Sequence, residues 1–265
     1  MISGDNAVEI FTDGNDKFDA LIEDIKNAES YIFLQYYIIK DDVLFQRIRE
    51  ALLEKAAQGV EIRILYDAMG CRSVGKHFWK EMEKQGIHVA VFFPALFGRL
   101  HLRVNYRNHR KIAVIDGKVA YVGGFNIGKE YIGLDPKFGH WRDTHLRICG
   151  SAVGGLLLRY IQDWDYAARE NLFENPKYFI LPEEKAGNVK MQIISSGPDS
   201  ELQSIRDNYL RLIHRQKEHY IQTPYFIPDE SIQTALLMAT MSGVEVNLMF
   251  PCKPDHPFVY WATLS

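Results

Sequence analysis

The chain has 265 residues, 47% hydrophobic and 25% charged, with 31 basic and 34 acidic side chains and a formal net charge of −3. That length and balance suit one large folded domain or two modest ones; they exclude disordered, collagen-like and miniprotein classes and argue against a surface-wide nucleic-acid binder. Cys71, Cys149 and Cys252 are isolated and lack metal-ligand spacing, so they read as reduced thiols of a cytosolic protein. No apolar run reaches the roughly 18 residues that a membrane-crossing helix needs, and the N-terminus does not read as a signal peptide.

In chain order, Val8–Thr12 reads as a short strand, and Phe18, Leu21, Ile22 and Ile25 follow at helical spacing. The β-rich run Tyr31–Ile39 comes next, then a helix with Leu44, Phe45, Ile48, Leu52 and Ala56 on one face. Gly59 stands where a helix C-terminal cap is expected, ahead of a strand over Val60–Tyr66. A third helix is predicted from Ser73 to Gln85, closed by Gly86 and followed by a strand over Ile87–Phe93. Strands alternating with helices predict an α/β fold with helices on both faces of its sheet.

From Glu170 to Gly187 the text is polar and irregular, and the pattern then begins again. Tyr220-Ile follows Glu218-His as Tyr31-Ile follows Glu29-Ser, and Gly243-Val-Glu-Val repeats Gly59-Val-Glu-Ile. The offset is 189 positions at the tyrosines and 184 at the glycines, which reads as an internal duplication with a shorter second helix.

The chemistry concentrates between Asn108 and Asn126. Asp116-Gly117 between two apolar runs predicts a two-residue hairpin turn with Ile115 opposite Lys118. In that register His109 faces Gly124, Lys111 faces Val122 and Asn126 faces Arg107, so His109, Lys111 and Asn126 share one face while Ile112 and Val114 point to the other. Gly123 and Gly124 are then expected to clear space for a substrate beside the histidine. An ammonium, a side-chain amide and an imidazole in one cluster suit a phosphate. Asp116 is fully explained as a turn residue by the same geometry.

His109-x-Lys111 with Asp116, followed by Gly123-Gly124-x-Asn126, resembles the HxKxxxxD signature of the phospholipase D superfamily. The text of Leu34–Ile38, Tyr66–Gly70, Tyr121–Gly128, Trp141–Ile148, Gln222–Pro228 and Pro254–Val259 is similar to bacterial cardiolipin synthases, and the likeness covers nearly the whole chain. The resemblance implies an α/β fold with a phospholipase D-like mixed sheet flanked by helices, duplicated with the second copy incomplete. The first repeat with its motif is expected over 1–170, a linker over 171–187 and the incomplete second repeat over 188–265.

In that family two motifs meet at one pocket. One histidine attacks phosphorus to give a phosphohistidine, and the other protonates the leaving alcohol and then activates the acceptor. The resemblance gives His109 one of these parts, with Lys111, Asn126 and Gly124 at the phosphate oxygens and Asp116 within the signature. It implies neither metal nor cofactor. A carboxylate on the far ring nitrogen would fix the tautomer, and Asp143 is preferred to Glu130 for this.

The activity implied is the joining of two phosphatidylglycerols into cardiolipin with release of glycerol. The partners implied are an anionic phospholipid and a membrane surface, not nucleic acid. Val89–Gly98 with Arg99, Arg103, Arg107 and Arg110 reads either as a lipid-facing segment or as a buried strand followed by a solvated basic loop. The Tyr36-Tyr37 and Tyr225-Phe226 pairs read as strand core.

The sequence also departs from the family. None of the other eight histidines has a lysine two residues on, and the repeat offset places the matching histidine near positions 293–298, past Ser265. The two membrane helices that usually open such proteins are not seen. The expectation is therefore a fragment of a bacterial cell-membrane protein, itself soluble or peripheral, whose site is completed by a missing C-terminal half or by a homodimer. Another phospholipase D-type phosphodiesterase, a headgroup hydrolase or nuclease, and a non-catalytic lipid-binding module are the alternatives.

Overall fold

The computed structural model describes residues 2–93, 107–180, 185–197 and 200–251. These fall into two compact units, divided between Ile193 and Ile194. The first unit runs β1 (Ser3–Asp13), α1 (Gly14–Lys26), β2 (Tyr31–Tyr36), α2 (Val43–Ala57), β3 (Glu61–Asp67), α3 (Lys76–Lys84), β4 (His88–Phe92), β5 (Ile112–Ile115), β6 (Val119–Gly123), β7 (Arg142–Cys149), α4 (Ala152–Ala168) and β8 (Val189–Met191). Its strands form one mixed sheet in the order β4-β3-β2-β5-β6-β7-β1-β8. β2, β3 and β4 are parallel, as strands joined by crossover helices must be, and the remaining neighbours are antiparallel.

Both faces of the sheet are covered, which is why β2 reads as a continuous apolar run instead of an alternating one. On one face Phe18, Leu21 and Ile25 of α1, Ile48 and Leu52 of α2, and Trp79 and Met82 of α3 pack on Ile32, Leu34, Ala113 and Ile115. On the other, Val153, Leu157, Tyr160, Ile161 and Trp164 of α4 pack on Phe33, Ile112, Val114 and Ile148. Asp13 and Asp42 cap α1 and α2 by accepting from the backbone N–H groups of Asn15 (2.7 Å) and Leu44 (3.0 Å). Gly59 follows α2 at φ 86°, the left-handed conformation its place after the helix predicts.

α3 starts three residues later than its periodicity suggests. The preceding residues are taken up by turns anchored on Asp67, whose carboxylate accepts from the N–H groups of Met69 (2.8 Å) and Gly70 (3.2 Å). Gly70 lies so close to the Tyr37 carbonyl that any side chain there would overlap it.

The β5–β6 hairpin corrects the predicted register by one residue. Asp116 and Gly117 both adopt positive φ, 53° and 66°, and the Lys118 N–H donates to the Ile115 carbonyl at 3.0 Å, so the tight turn forms as expected. The ladder nevertheless pairs Ile115 with Val119 and Ile112 with Val122, leaving Lys118 as an extra residue, a bulge. Such a slip exchanges which residues stand opposite one another. Extended by one step, it sets Lys111 opposite Gly123 instead of Val122, and the ladder ends before His109, Gly124, Asn126 and Arg107.

Residues 172–180, within the irregular stretch from Glu170 to Gly187, are fastened to the first unit. The Tyr178 ring is buried, its hydroxyl donates to Glu61 at 2.8 Å, and the Leu172 N–H donates to Asp165 at 2.8 Å. β8 joins the same sheet through β1, with Asn6 Nδ2 donating to the Val189 carbonyl at 2.9 Å.

The second unit contains α5 (Ser204–Arg215), β9 (Glu218–Gln222), α6 (Glu230–Met241) and β10 (Glu245–Met249). β9 and β10 are parallel, and Ile213, Ala235, Leu236 and Ala239 form a small core. The order helix, strand, helix, parallel strand is that of α1, β2, α2 and β3. Among the described residues no helix is long and apolar enough to cross a membrane. Cys71 and Cys149 are free thiols, while Cys252 and the segment 94–106 with Arg99 and Arg103 lie outside the described residues.

Asp116 is a tie between the hairpin and the start of β2. Its carboxylate accepts from the N–H groups of Glu29, Ser30 and Tyr31, each at 2.8 Å. Asp116→Ala removes all three acceptor contacts and is expected to lower stability by about 2–4 kcal/mol, read as a lower denaturant midpoint with an unchanged m-value.

Candidate active site

β5 enters the sheet beside β2 with Ile112 paired to Gln35, so the residues just before β5 meet those just after β2. This brings His109 and Lys111 to Tyr37. The His109 and Tyr37 rings have centroids 4.6 Å apart, and the Lys111 Nζ lies 5.5 Å from the Tyr37 ring centre. The ammonium stands 2.8 Å from His109 Nδ1 and donates to the His109 carbonyl at 2.7 Å. His109 presents its ring to solvent, while Lys111 is 4% exposed.

The electrostatics follow mainly from burial. Burial of the flank of the ring, with the Lys111 charge beside it, pushes the His109 pKa down to about 4, so the imidazole is neutral at neutral pH. Burial lowers Lys111 to about 7, against the opposing field of Asp143. Removing the ammonium removes a like charge but not the burial. The His109 ring signal in an NMR titration is therefore expected to shift upward from about 4 in Lys111→Met, stopping short of 6.5.

The two glycines make room for protein, not for substrate. At Gly123 a Cβ would lie 2.6 Å from Cγ of His145, its partner on β7, and at Gly124 it would overlap the Asp143 carboxylate. The Gly124 N–H is also committed, to the Thr144 carbonyl at 2.9 Å. His145 is fully buried and neither ring nitrogen has a partner among the described residues. Burial, with Lys17 and Lys111 nearby, holds it well below the usual histidine range.

Asn126 is buried and half committed. Its Oδ1 accepts from the Ile38 N–H at 3.0 Å, and Nδ2 donates to the Tyr131 hydroxyl at 2.9 Å. One amide hydrogen is left over. Of the two carboxylates considered for the histidine, Glu130 is paired with Lys40 at 2.6 Å, whereas Asp143 accepts from the Thr144 N–H at 2.6 Å and acts on Lys111 through its charge. Asp116 stands at the opposite end of β5, roughly 16 Å of strand from Lys111.

Sequence reasoning missed Tyr37 as a neighbour of the histidine, because it reads as strand core until β2 is seen to end at Tyr36. It also missed Lys17, which is completely buried in α1, donates to the Tyr36 hydroxyl at 2.9 Å and lies over the Phe18 ring. A lysine on the apolar face of an amphipathic helix was the available signal. No group of His, Cys, Asp and Glu side chains suited to a metal ion occurs among the described residues.

Residues 21–135 match a family model described as "Cardiolipin synthase, PLD-like domain". The chain is 52% identical to the major cardiolipin synthase of Bacillus subtilis over 267 residues, covering 100% of this chain and 55% of that protein. It is 51% identical to the cardiolipin synthase of Oceanobacillus iheyensis, covering 98% and 54%. The chain thus spans about half the length of these curated relatives. The crystal structure of phosphatidylserine synthase from Haemophilus influenzae superposes with a TM-score of 0.67 at 17% identity, over 97% of this chain and 66% of that one, a likeness of fold. From end to end the chain is similar to half of the bacterial cardiolipin synthases, and its residues 21–135 match the phospholipase D-like domain of that family.

Proposed function

We propose that the site around His109 transfers a phosphatidyl group, forming cardiolipin from two phosphatidylglycerols with release of glycerol. The observation that supports this most directly is a solvent-reaching imidazole kept neutral beside a buried ammonium 2.8 Å away, in a chain half identical to cardiolipin synthases. A neutral ring has the lone pair that attack on phosphorus requires. The ammonium now on that nitrogen passes to the phosphate oxygens as the lipid binds, freeing the lone pair and neutralising the charge that grows on those oxygens. The spare amide hydrogen of Asn126 supplies a second contact.

In the first step the histidine nitrogen bonds to phosphorus and the bond from phosphorus to the glycerol oxygen breaks, with the oxygen taking a proton from a general acid. In the second, a hydroxyl of another phosphatidylglycerol gives up its proton and displaces the histidine. The acid is a second histidine, brought by a second copy of the chain or by a further motif of a longer one. The sheltered setting this chemistry needs is an anionic bacterial membrane surface, on which these units act peripherally. On the same reading the chain is duplicated, with repeats over 1–170 and from 188, joined by 171–187; the matching order of α1-β2-α2-β3 and α5-β9-α6-β10 supports it.

The test is incubation of the purified chain with phosphatidylglycerol vesicles. Where a second copy completes the site, cardiolipin and equimolar glycerol, both lost in His109→Ala, are the expected products; phosphatidic acid would make it a hydrolase, and lipid binding without turnover even when a longer chain carrying a second motif is used would make it a binding module. The same site should hold tungstate, a phosphate-like oxyanion, with affinity that falls as pH rises through about 7, because Lys111 then loses its proton. Calorimetric titration across that range checks this, and pH-independent affinity would remove Lys111 from the phosphate site.

A further inference from the structure

We infer that Asp163 is a positioning residue for His109, an inference that rests on the proposed role of that histidine. Asp163 lies in α4, on the face of the sheet opposite α1 and α2, and is only 2% exposed. Its carboxylate accepts from four side chains: Gln35 Nε2 at 2.7 Å, Asn108 Nδ2 at 3.0 Å, Arg110 Nη1 at 3.0 Å, and Arg159. Two of the four, Asn108 and Arg110, are the residues on either side of His109.

The remaining bonds of this network close the loop on itself. Asn108 Oδ1 accepts from Gln35 Nε2 at 2.9 Å and from the Arg110 N–H at 3.2 Å, and the Asn108 N–H donates to Asp67 at 3.2 Å. The backbone on both sides of His109 is thereby tied to one carboxylate on a long, well-packed helix and to the β2 strand. Asn108 and Arg110 are drawn towards α4, and His109 is left to meet Tyr37 and Lys111. A buried carboxylate with all its lone pairs engaged has one stable arrangement, so it transmits the rigidity of α4 to the loop. Arg110 and Arg159 both contribute a positive charge to the same carboxylate, but only Arg110 belongs to the loop. That difference separates positioning from general charge compensation.

The readout is the ring Cε1–H signal of His109 in the full chain, assigned by its loss in His109→Gln. Asp163→Asn, which keeps shape and one acceptor oxygen, is expected to displace that signal and its titration midpoint. Arg110→Gln should do the same, and Arg159→Gln should leave both near the wild-type values. If Asp163→Asn does not fold, the contrast between the two arginine variants decides. An unmoved His109 signal in Arg110→Gln, or an equal displacement in Arg159→Gln, would overturn the inference. In turnover of phosphatidylglycerol, Asp163→Asn is expected to lower kcat by roughly 10²-fold with little change in KM, as loss of orientation does. Because the ring signal is read without turnover, a wild-type chain that makes no cardiolipin fails the functional reading while the positioning of His109 is still decided by its own signal.

Discussion

An ammonium kept out of water beside a neutral imidazole is the constraint that the rest of the first unit serves. Taking a charge from water into a protein interior costs several kcal/mol unless other groups replace its hydration. At Lys111 the replacements are the His109 ring nitrogen and carbonyl, the face of Tyr37 and the field of Asp143. The compensation is partial, and the residual cost shows as a lysine whose pKa falls to about 7. Burial first, and the nearby ammonium second, keep His109 unprotonated.

Each strand near that pair is adapted to it. Extending the observed pairings by one residue places Tyr36, Lys111, Gly123 and His145 in a row across β2, β5, β6 and β7. Gly123 is the gap in the row, and the His145 ring leans into it. A glycine in a strand interior gives up packing and adds unfolded-chain entropy, so its use here marks a place where another group must approach. Gly124 gives the same accommodation to the Asp143 carboxylate. Lys17 and His145 are deeply buried nitrogen bases whose charged forms burial opposes, which limits the positive charge accumulated around Lys111.

Much of this organisation was legible in the residues. The alternation of strand and helix, the helix ends at Gly59 and Gly86, the turn at Asp116-Gly117 and the nearness of Lys111 to His109 all follow from local periodicity and turn chemistry. The later start of α3 rests on a local Asp turn that helical periodicity does not register: the Asp67 carboxylate accepts from N–H groups two and three residues on. The irregular text from Glu170 to Gly187 concealed two anchors, Leu172 and Tyr178, whose partners Asp165 and Glu61 lie in α4 and β3.

The sequence by itself determined which chemical groups are present, where the chain turns and which period each segment follows, since these depend on residues within a few positions of one another. Tertiary structure alone decided what stands opposite what. The turn of the β5–β6 hairpin is local, but its one-residue bulge is selected by the fit of β5 against β2 and of β6 against β7, whose partners are distant in the chain. That choice moved Lys111 opposite Gly123, while the separate pairing of β6 with β7 gave the glycine space to His145 and Asp143. Asp163 could not be read as part of the site from any spacing, because its connection to His109 runs through the thickness of the sheet.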